Sequence, residues 1–229
     1  MSGRLGTREA DELIEQKLQR SMQLHDAMAQ TIGLDDDSLV IADLLGTDIA
    51  MASIGLSMEH GDSLLVLMAH GNPNTATATL RMQFESLLRG AWAIYAATEQ
   101  EIEALERELT VEADAQARKV AVYGDMLKAL RKESCQAPRG LVDEVGRVDQ
   151  VLRHGMNSFV HGGFQPLKHH SEGFPLSLAL QVNRYQQHPL ILAFTYSKSN
   201  LFFLSSDCHL STEAPNIAPP SISYLSVSS

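Results

Sequence analysis

The sequence has few cysteines and no long uninterrupted apolar run. Its two cysteines, Cys135 and Cys208, are far apart and lack metal-type spacing, which argues against a disulfide scaffold and suits a reducing compartment. Acidic residues at Asp43, Asp48 and Glu59 interrupt the most apolar region, so no stretch of about 18 uncharged apolar residues could cross a bilayer. The N-terminus also lacks the apolar core of a signal peptide. We therefore expect a cytoplasmic protein without a membrane segment.

Basic residues are scarce relative to acidic ones. The 229 residues include 18 Lys and Arg against 28 Asp and Glu, which gives a formal net charge of −10. This balance disfavours broad, sequence-independent binding of nucleic acid, because such binding depends on cations that neutralise phosphates. It does not exclude a small RNA-cleaving site, since a local site needs only a few cations.

The motifs of several common enzyme classes are missing. The chain has no G-x-x-x-x-G-K-[ST] phosphate loop, no G-x-S-x-G elbow and no H-E-x-x-H zinc helix. It has no Glu-x-x-His pair of the kind that holds two iron ions in a helical bundle. The adjacent histidines His169 and His170 fall in a segment that reads as an exposed loop and are a weak metal signal. We expect neither a metal nor another cofactor.

Helical periodicity is what the sequence does contain, over most of its length. Each apolar stripe is bounded by residues that cap or break helices. The alternating threonines of TATATL permit a strand, but the apolar stripe that follows favours a helix. The predicted helices run from about Thr7 to Thr31, from about Ser38 with a break at Gly61 and Asp62, from a cap at Asn74 or Thr75 to about Thr98, from a cap at Thr110 to Ser134, and from Pro138 to His161. The charged segment Glu99 to Glu108 reads as a solvated helix end or a connection.

The C-terminal part gives a weaker signal. Gly162 and Gly163 end the last clear helix, and the segment GGFQPLKHH reads as a loop. The following residues fit one helix, two helices or an extended segment, because Pro189 and the cluster LILAFTY interrupt the pattern. We predict an all-α fold, an antiparallel helical bundle over residues 1–204, with a Ser/Pro-rich tail over 205–229 that is disordered.

One polar constellation lies on the Thr75–Thr98 segment. Arg81, Glu85 and Arg89 are spaced by four residues and share a helix face with the only tryptophan, Trp92. A surface ladder of ion pairs is the plainer interpretation. The tryptophan on the same face instead favours a partly buried polar layer or an interface. We predict that Arg81 and Glu85 are paired, at least half buried and beside Trp92.

A second constellation lies at the end of the helix before the glycine pair. His154, Asn157 and His161 follow i, i+3, i+7 spacing and share a face, with Arg153 to one side. These side chains could serve catalysis, with His161 as a general acid or base. Alternatively, Asn157 and His161 could hydrogen-bond the loop and the helix end. We predict one polar site at Asn157 and His161 that faces the Arg81–Glu85–Arg89 helix.

These two segments carry a resemblance. LRMQFESLLRGAWAIYAAT, followed later by MNSFVHGG, resembles a bacterial all-helical family of uncharacterised function over about Leu13 to Leu180. More distantly, Asn157 and His161 resemble the motif of HEPN-type helical proteins. Many HEPN proteins are metal-independent RNases of toxin–antitoxin and phage-defence systems, with sites formed across a dimer. Here Arg153 stands eight positions before His161 and Met156 occupies the expected arginine position, so only Asn157 and His161 carry over.

Two functions follow as hypotheses. The resemblance implies an interaction or structural module that binds a protein partner or a second copy of itself, in a toxin–antitoxin or phage-defence context. The alternative is a HEPN-like RNase in which His161 moves a proton, an arginine stabilises the phosphate charge and Asn157 positions the phosphate. The acidic net charge favours the first hypothesis.

Overall fold

The computed structural model describes residues 3–32 and 45–187, and these residues form an all-α fold. The described part contains nine helices and no strand, apart from one isolated bridge between Arg4 and Pro175. The predicted all-α fold is confirmed for these residues. The division into a bundle over residues 1–204 and a tail over 205–229 stays a prediction, and the tail lies outside the described residues. The helices are α1 (Arg8–Ile32), α2 (Thr47–Ala69), α3 (Pro73–Tyr95), α4 (Glu99–Glu106), α5 (Val111–Ala117), α6 (Tyr123–Leu130), α7 (Arg139–Val160), α8 (Phe164–Glu172) and α9 (Leu176–Tyr185).

The centre of the fold is the hairpin of α2 and α3. Gly71, at a φ of 73°, lies in the short turn between them, and Pro73 begins α3 at a position where its missing N–H costs nothing. Gly90 lets the helices approach closely, since a Cβ there would lie 3.3 Å from both the Ala50 oxygen and the Ser53 Cβ. The buried side chains of α3 include Leu80, Phe84, Leu87, Leu88 and Ala91, which confirms the helical stripe predicted for this segment.

The other long helices surround this hairpin. α6 and α7 pack against α3, α1 packs against α2, and α9 packs against α1 and α3. The N-terminal segment is tied to the start of α9, because Leu5 N donates to the Phe174 oxygen and Leu176 N donates to the Gly3 oxygen, each at 2.9 Å. The first and last described elements therefore lie side by side.

The break predicted in α2 at Gly61 and Asp62 is wrong. The helix runs through both residues without interruption. Gly61 is buried at a close approach, where a Cβ would lie 2.5 Å from His25 Cε1 and 2.8 Å from Gln83 Nε2. The glycine is explained by packing between helices and not by a helix end.

Three further features differ from the sequence prediction. Thr110 does cap a helix, accepting a hydrogen bond from Ala113 N, but α5 ends at Ala117 and α6 is a separate helix. The segment predicted as the loop GGFQPLKHH is mostly helix α8, which has no fully buried residue. A short helix that lies on the surface has a weak apolar stripe, so periodicity does not reveal it. The caps predicted at Asn74 or Thr75 also lie too late, because Asn72 is the N-cap of α3.

Candidate functional site

A cavity of about 310 Å³ lies among α3, α6 and α7 and contains two of the residues singled out by sequence. Arg81 comes from α3 and Asn157 from α7, as the prediction of facing helices requires. The remaining lining residues come from α6 and the residue that follows it. They are Tyr123, Gly124, Leu127, Lys128 and Arg131. Three of the seven lining side chains are basic and none is acidic.

Arg81 is held from two sides. Its Nε donates to Glu85 Oε1 at 2.7 Å, and its Cζ lies 4.4 Å from the centre of the Tyr123 ring. The side chain of Arg81 is 15% exposed and that of Glu85 is 39% exposed, so the predicted pairing and burial are observed. A guanidinium fixed by a carboxylate and an aromatic ring keeps a defined direction with donors left over.

The contribution of α6 was not predicted. Tyr123 donates a hydrogen bond from its hydroxyl to Asp149 Oδ1 on α7, and the Asp149 carboxylate is 3% exposed. Arg131 NH2 lies 3.6 Å from the other Asp149 oxygen, and Lys128 Nζ lies 3.5 Å from Asp125 Oδ1. These two ion-pair distances exceed hydrogen-bond length, so both cations keep donors for another acceptor.

Asn157 and His161 do not play the hydrogen-bonding role that sequence offered as an alternative. Neither side chain forms a hydrogen bond with any residue of the described ranges, and His161 is exposed as the C-cap of α7. The bond to the following segment comes from Ser158, whose Oγ accepts from Gln165 N at 3.2 Å. His161 lies one helical turn beyond Asn157 but is not among the cavity's lining residues. The structure thus brings Asn157 and Arg81 to the same cavity and leaves His161 outside its lining.

The other predicted site residues have separate outcomes. The side chains of Arg153 and His154 lie outside the part of the structure that is described. Arg89 is partly buried and forms no ion pair with a described residue. Trp92 is 1% exposed and belongs to the core, but 11 residues of helix place it about 16 Å along the axis from Arg81. The shared face does not make Trp92 a neighbour of Arg81.

A buried polar network was also missed by sequence reasoning. His25, 3% exposed, has Nδ1 2.7 Å from Asp62 Oδ1 and Nε2 2.8 Å from Gln186 Oε1. Gln83 Nε2 donates to the Gln186 backbone oxygen at 3.0 Å. Ser21 on α1 donates to Asn183 Oδ1 at 3.0 Å. The bonds of Ser21 and His25 join α1 to α9 and its C-cap. Helical periodicity does not predict them, because in an apolar stripe these polar side chains are only exceptions.

No group of three or more His, Cys, Asp or Glu side chains in the described ranges could hold a metal ion. Within the same ranges, no helix combines the length and hydropathy that crossing a membrane requires.

A comparison with known proteins identifies the family. No curated protein and no solved structure matches the chain, and the comparisons show no similarity to HEPN-type proteins. A family model described as "Family of unknown function (DUF6988)" matches residues 54–218. The match begins later than Leu13, where the resemblance begins, and extends past Leu180, where the resemblance ends. Because the model covers most of the chain, this protein belongs to the family of unknown function DUF6988.

Proposed function

We propose that this protein is a helical interaction module that binds an anionic group of a partner, a phosphate or a carboxylate, in the cavity among α3, α6 and α7. One observation carries this proposal. Arg81, Lys128 and Arg131 converge on one cavity with the unbonded amide of Asn157, and no acidic side chain lines it. The chain has a formal net charge of −10. A cavity whose charged lining residues are all basic differs in sign from that net charge.

The acidic partners of these cations support the proposal by their positions. Glu85, Asp125 and Asp149 pair with the basic groups but do not line the cavity, so they leave free the space that a ligand would fill. Arg81, which Glu85 and the Tyr123 ring hold, is ordered before the ligand arrives, and such preorganisation lowers the entropic cost of binding. Arginine presents a fork of donors to phosphate or carboxylate, and the amide of Asn157 adds two more.

The test is anion binding by the purified protein. Inorganic phosphate, a short single-stranded RNA and an acidic peptide are each titrated at two salt concentrations, with binding followed by NMR. We expect shifts at Arg131 and Asn157 that weaken at higher salt. Arg131→Gln should weaken binding about tenfold, as expected for the loss of one charge-assisted hydrogen bond of about 1.5–3 kcal/mol. Arg118→Gln removes the same charge from an exposed pair with Asp114 and should change nothing. Equal loss in both variants, or no binding, contradicts the proposal.

Cleavage of RNA is the second candidate function. It is favoured by the spacing of Asn157 and His161, which are i, i+4 neighbours on α7 and form no side-chain hydrogen bond within the described ranges. The cavity would hold the phosphate, and the exposed imidazole of His161 would transfer the proton to or from an RNA oxygen. The HEPN resemblance would place such a site across a homodimer, in a toxin–antitoxin or phage-defence context.

The cleavage test uses mixed single-stranded RNA in a chelator, with wild-type protein beside His161→Ala and Asn157→Ala. Cleavage that His161→Ala abolishes while phosphate binding persists supports the enzyme. Phosphate binding without cleavage by any of the three proteins leaves the interaction module alone. Light scattering at several protein concentrations measures whether the protein is the predicted homodimer.

A further inference from the structure

A second concave region lies between α1, the turn that joins α2 to α3, and the segment from α8 to α9. It is an open cleft of about 930 Å³ and shares no lining residue with the cavity among α3, α6 and α7. This volume falls at the upper end of the range of about 300–1,000 Å³ that is typical of small-molecule sites. We call it the α1 cleft.

The floor of the α1 cleft is apolar. Ile14, Leu18 and Met22 follow one another at four-residue spacing along α1, and Met68 and Phe174 face them from α2 and from the α8–α9 connection. Ile14, Leu18 and Met68 are each at least 93% buried, so the cleft reaches down to the hydrophobic core. An apolar group that entered it would gain the contacts of core side chains.

The polar groups at the cleft include three acceptors. Asp11 and Glu15 stand on α1 with the same four-residue spacing, and Asp11 Oδ1 accepts from Gly6 N at 2.9 Å. Glu15 forms no hydrogen bond or ion pair with any described residue. Asn74, at the start of α3, also lines the cleft, and its Oδ1 atom is fully buried and has no hydrogen-bond partner among the described residues.

The charges at the cleft have one sign. Asp11 and Glu15 carry two negative charges, and neither lysine nor arginine lines the cleft. The two lining histidines are His169 and His170. Burial lowers the pKa of His169 below its ordinary value, Glu172 acts in the opposite direction and Arg4 acts with burial. Burial therefore disfavours the charged form of His169. The start of α3 supplies backbone donors, which by themselves would favour an anion.

We propose that the α1 cleft binds a small amphipathic amine. Its ammonium group would donate to the carboxylates of Asp11 and Glu15, and its apolar chain would cover Leu18 and Met22. Two carboxylates one helical turn apart, with no lysine or arginine in the lining, favour a cation at this end of the cleft. This proposal is independent of the anion-binding cavity, because the two sites have no residue in common.

The test compares three probes with the same eight-carbon chain: n-octylamine, n-octanol and n-octanoate. Each is titrated into the full-length protein below its micelle concentration, with binding measured by calorimetry and by NMR shifts of the Met22 and Met68 methyl groups. We expect octylamine to bind about tenfold more tightly than octanol, since an ion pair at a partly buried site contributes about 1.4 kcal/mol or more. Octanoate should bind more weakly than octanol.

Matched variants separate recognition from stability. Glu15→Gln should reduce the affinity for octylamine about fivefold and leave that for octanol unchanged. Glu9→Gln removes the same charge from an exposed position on the same helix outside the cleft lining and should leave both affinities unchanged. Met22→Trp should fill the cleft and abolish binding without lowering the melting temperature. Octanoate that binds as tightly as octylamine, equal effects of Glu15→Gln and Glu9→Gln, or no binding of octylamine at millimolar concentration would each overturn the proposal.

Discussion

The Nδ1 atom of His25 lies 2.7 Å from Oδ1 of Asp62, which joins a buried imidazole on α1 to a carboxylate on α2 that is 65% exposed. The other ring nitrogen contacts Gln186 Oε1 at 2.8 Å. We predict that His25→Leu destabilises the protein by about 1–3 kcal/mol, because the buried side chain of Gln186 loses its hydrogen-bond partner. Urea unfolding measures the change.

His70→Leu is the control for this prediction. His70 is exposed, and its ring forms one hydrogen bond among the described residues, to the Val66 oxygen at the helix end, so the same substitution there should cost less than about 0.5 kcal/mol. Equal costs at both positions would show that the buried network does not stabilise the contact between α1 and α9.

Gly61→Ala should destabilise the protein although alanine is the better helix former. Alanine would gain about 1 kcal/mol of helix propensity, but its Cβ would lie 2.5 Å from His25 Cε1 and 2.8 Å from Gln83 Nε2. We expect a net loss of about 1–3 kcal/mol from overpacking, seen as a lower melting temperature. Gly55→Ala lies in the same helix with nothing within 4 Å of the new Cβ and should stabilise the protein. A stabilising Gly61→Ala would contradict the packing explanation.

Glu85→Gln should cost about 1 kcal/mol, measured by chemical denaturation. The Arg81 side chain, 15% exposed, would lose its carboxylate partner but keep its contact with the Tyr123 ring. The larger penalty of a fully buried pair does not apply, because Glu85 is 39% exposed. Glu12→Gln breaks an Arg–Glu pair of the same spacing at the surface and should cost less than about 0.5 kcal/mol. If Glu85→Gln also cost less than about 0.5 kcal/mol, the pair of Arg81 and Glu85 would be an ordinary surface ion pair.

The stability of the protein should fall as the pH drops below about 6.5, and His169 should be one cause. Burial lowers the pKa of His169, whose ring stacks on Phe159 at 5.9 Å. The unfolded chain therefore takes up this proton at a higher pH than the folded chain. The contribution of His169 is complete above pH 6.5 and is lost on acidification towards its lowered pKa.

His169→Phe keeps an aromatic ring at this position and should flatten the dependence of melting temperature on pH between about 7 and 5. His170→Phe makes the same change at the exposed neighbour and is the matched control for replacing an imidazole by a phenyl ring. Glu172 does not contribute to this slope. The hydrogen bond from Lys168 lowers the pKa of Glu172, so its effect on stability appears only below about pH 4.5. An unchanged slope in His169→Phe would contradict the assignment.

The sequence predicts the long helices well, because their apolar stripes are regular. The stripe from Leu80 to Ala91 identifies α3, and the end of α7 at Val160 follows from Gly162, whose φ of 63° suits glycine. The ion pair of Arg81 and Glu85 follows from helix geometry alone, since both partners lie on one helix.

The rest of the site depends on which helices pack together, and local patterns do not contain that information. Nothing near Tyr123 or Arg131 indicates that α6 lies against Arg81. Gly61 has the same local appearance as a helix-ending glycine, and only the proximity of His25 and Gln83 distinguishes the two cases.

The bonds between α1 and α9 also affect the order in which the protein can mature during synthesis. Ser21 and His25 bond Asn183 and Gln186, which lie 162 and 161 residues later in the chain. While the ribosome makes the intervening helices, Ser21 lacks Asn183, and of the His25 partners Asp62 and Gln186, Asp62 is the one that is made early. The hydrogen bonds of Gly3 and Leu5 likewise form only once residues 174–176 have been made. Helix α1 therefore reaches its final surroundings only after the α9 segment has emerged.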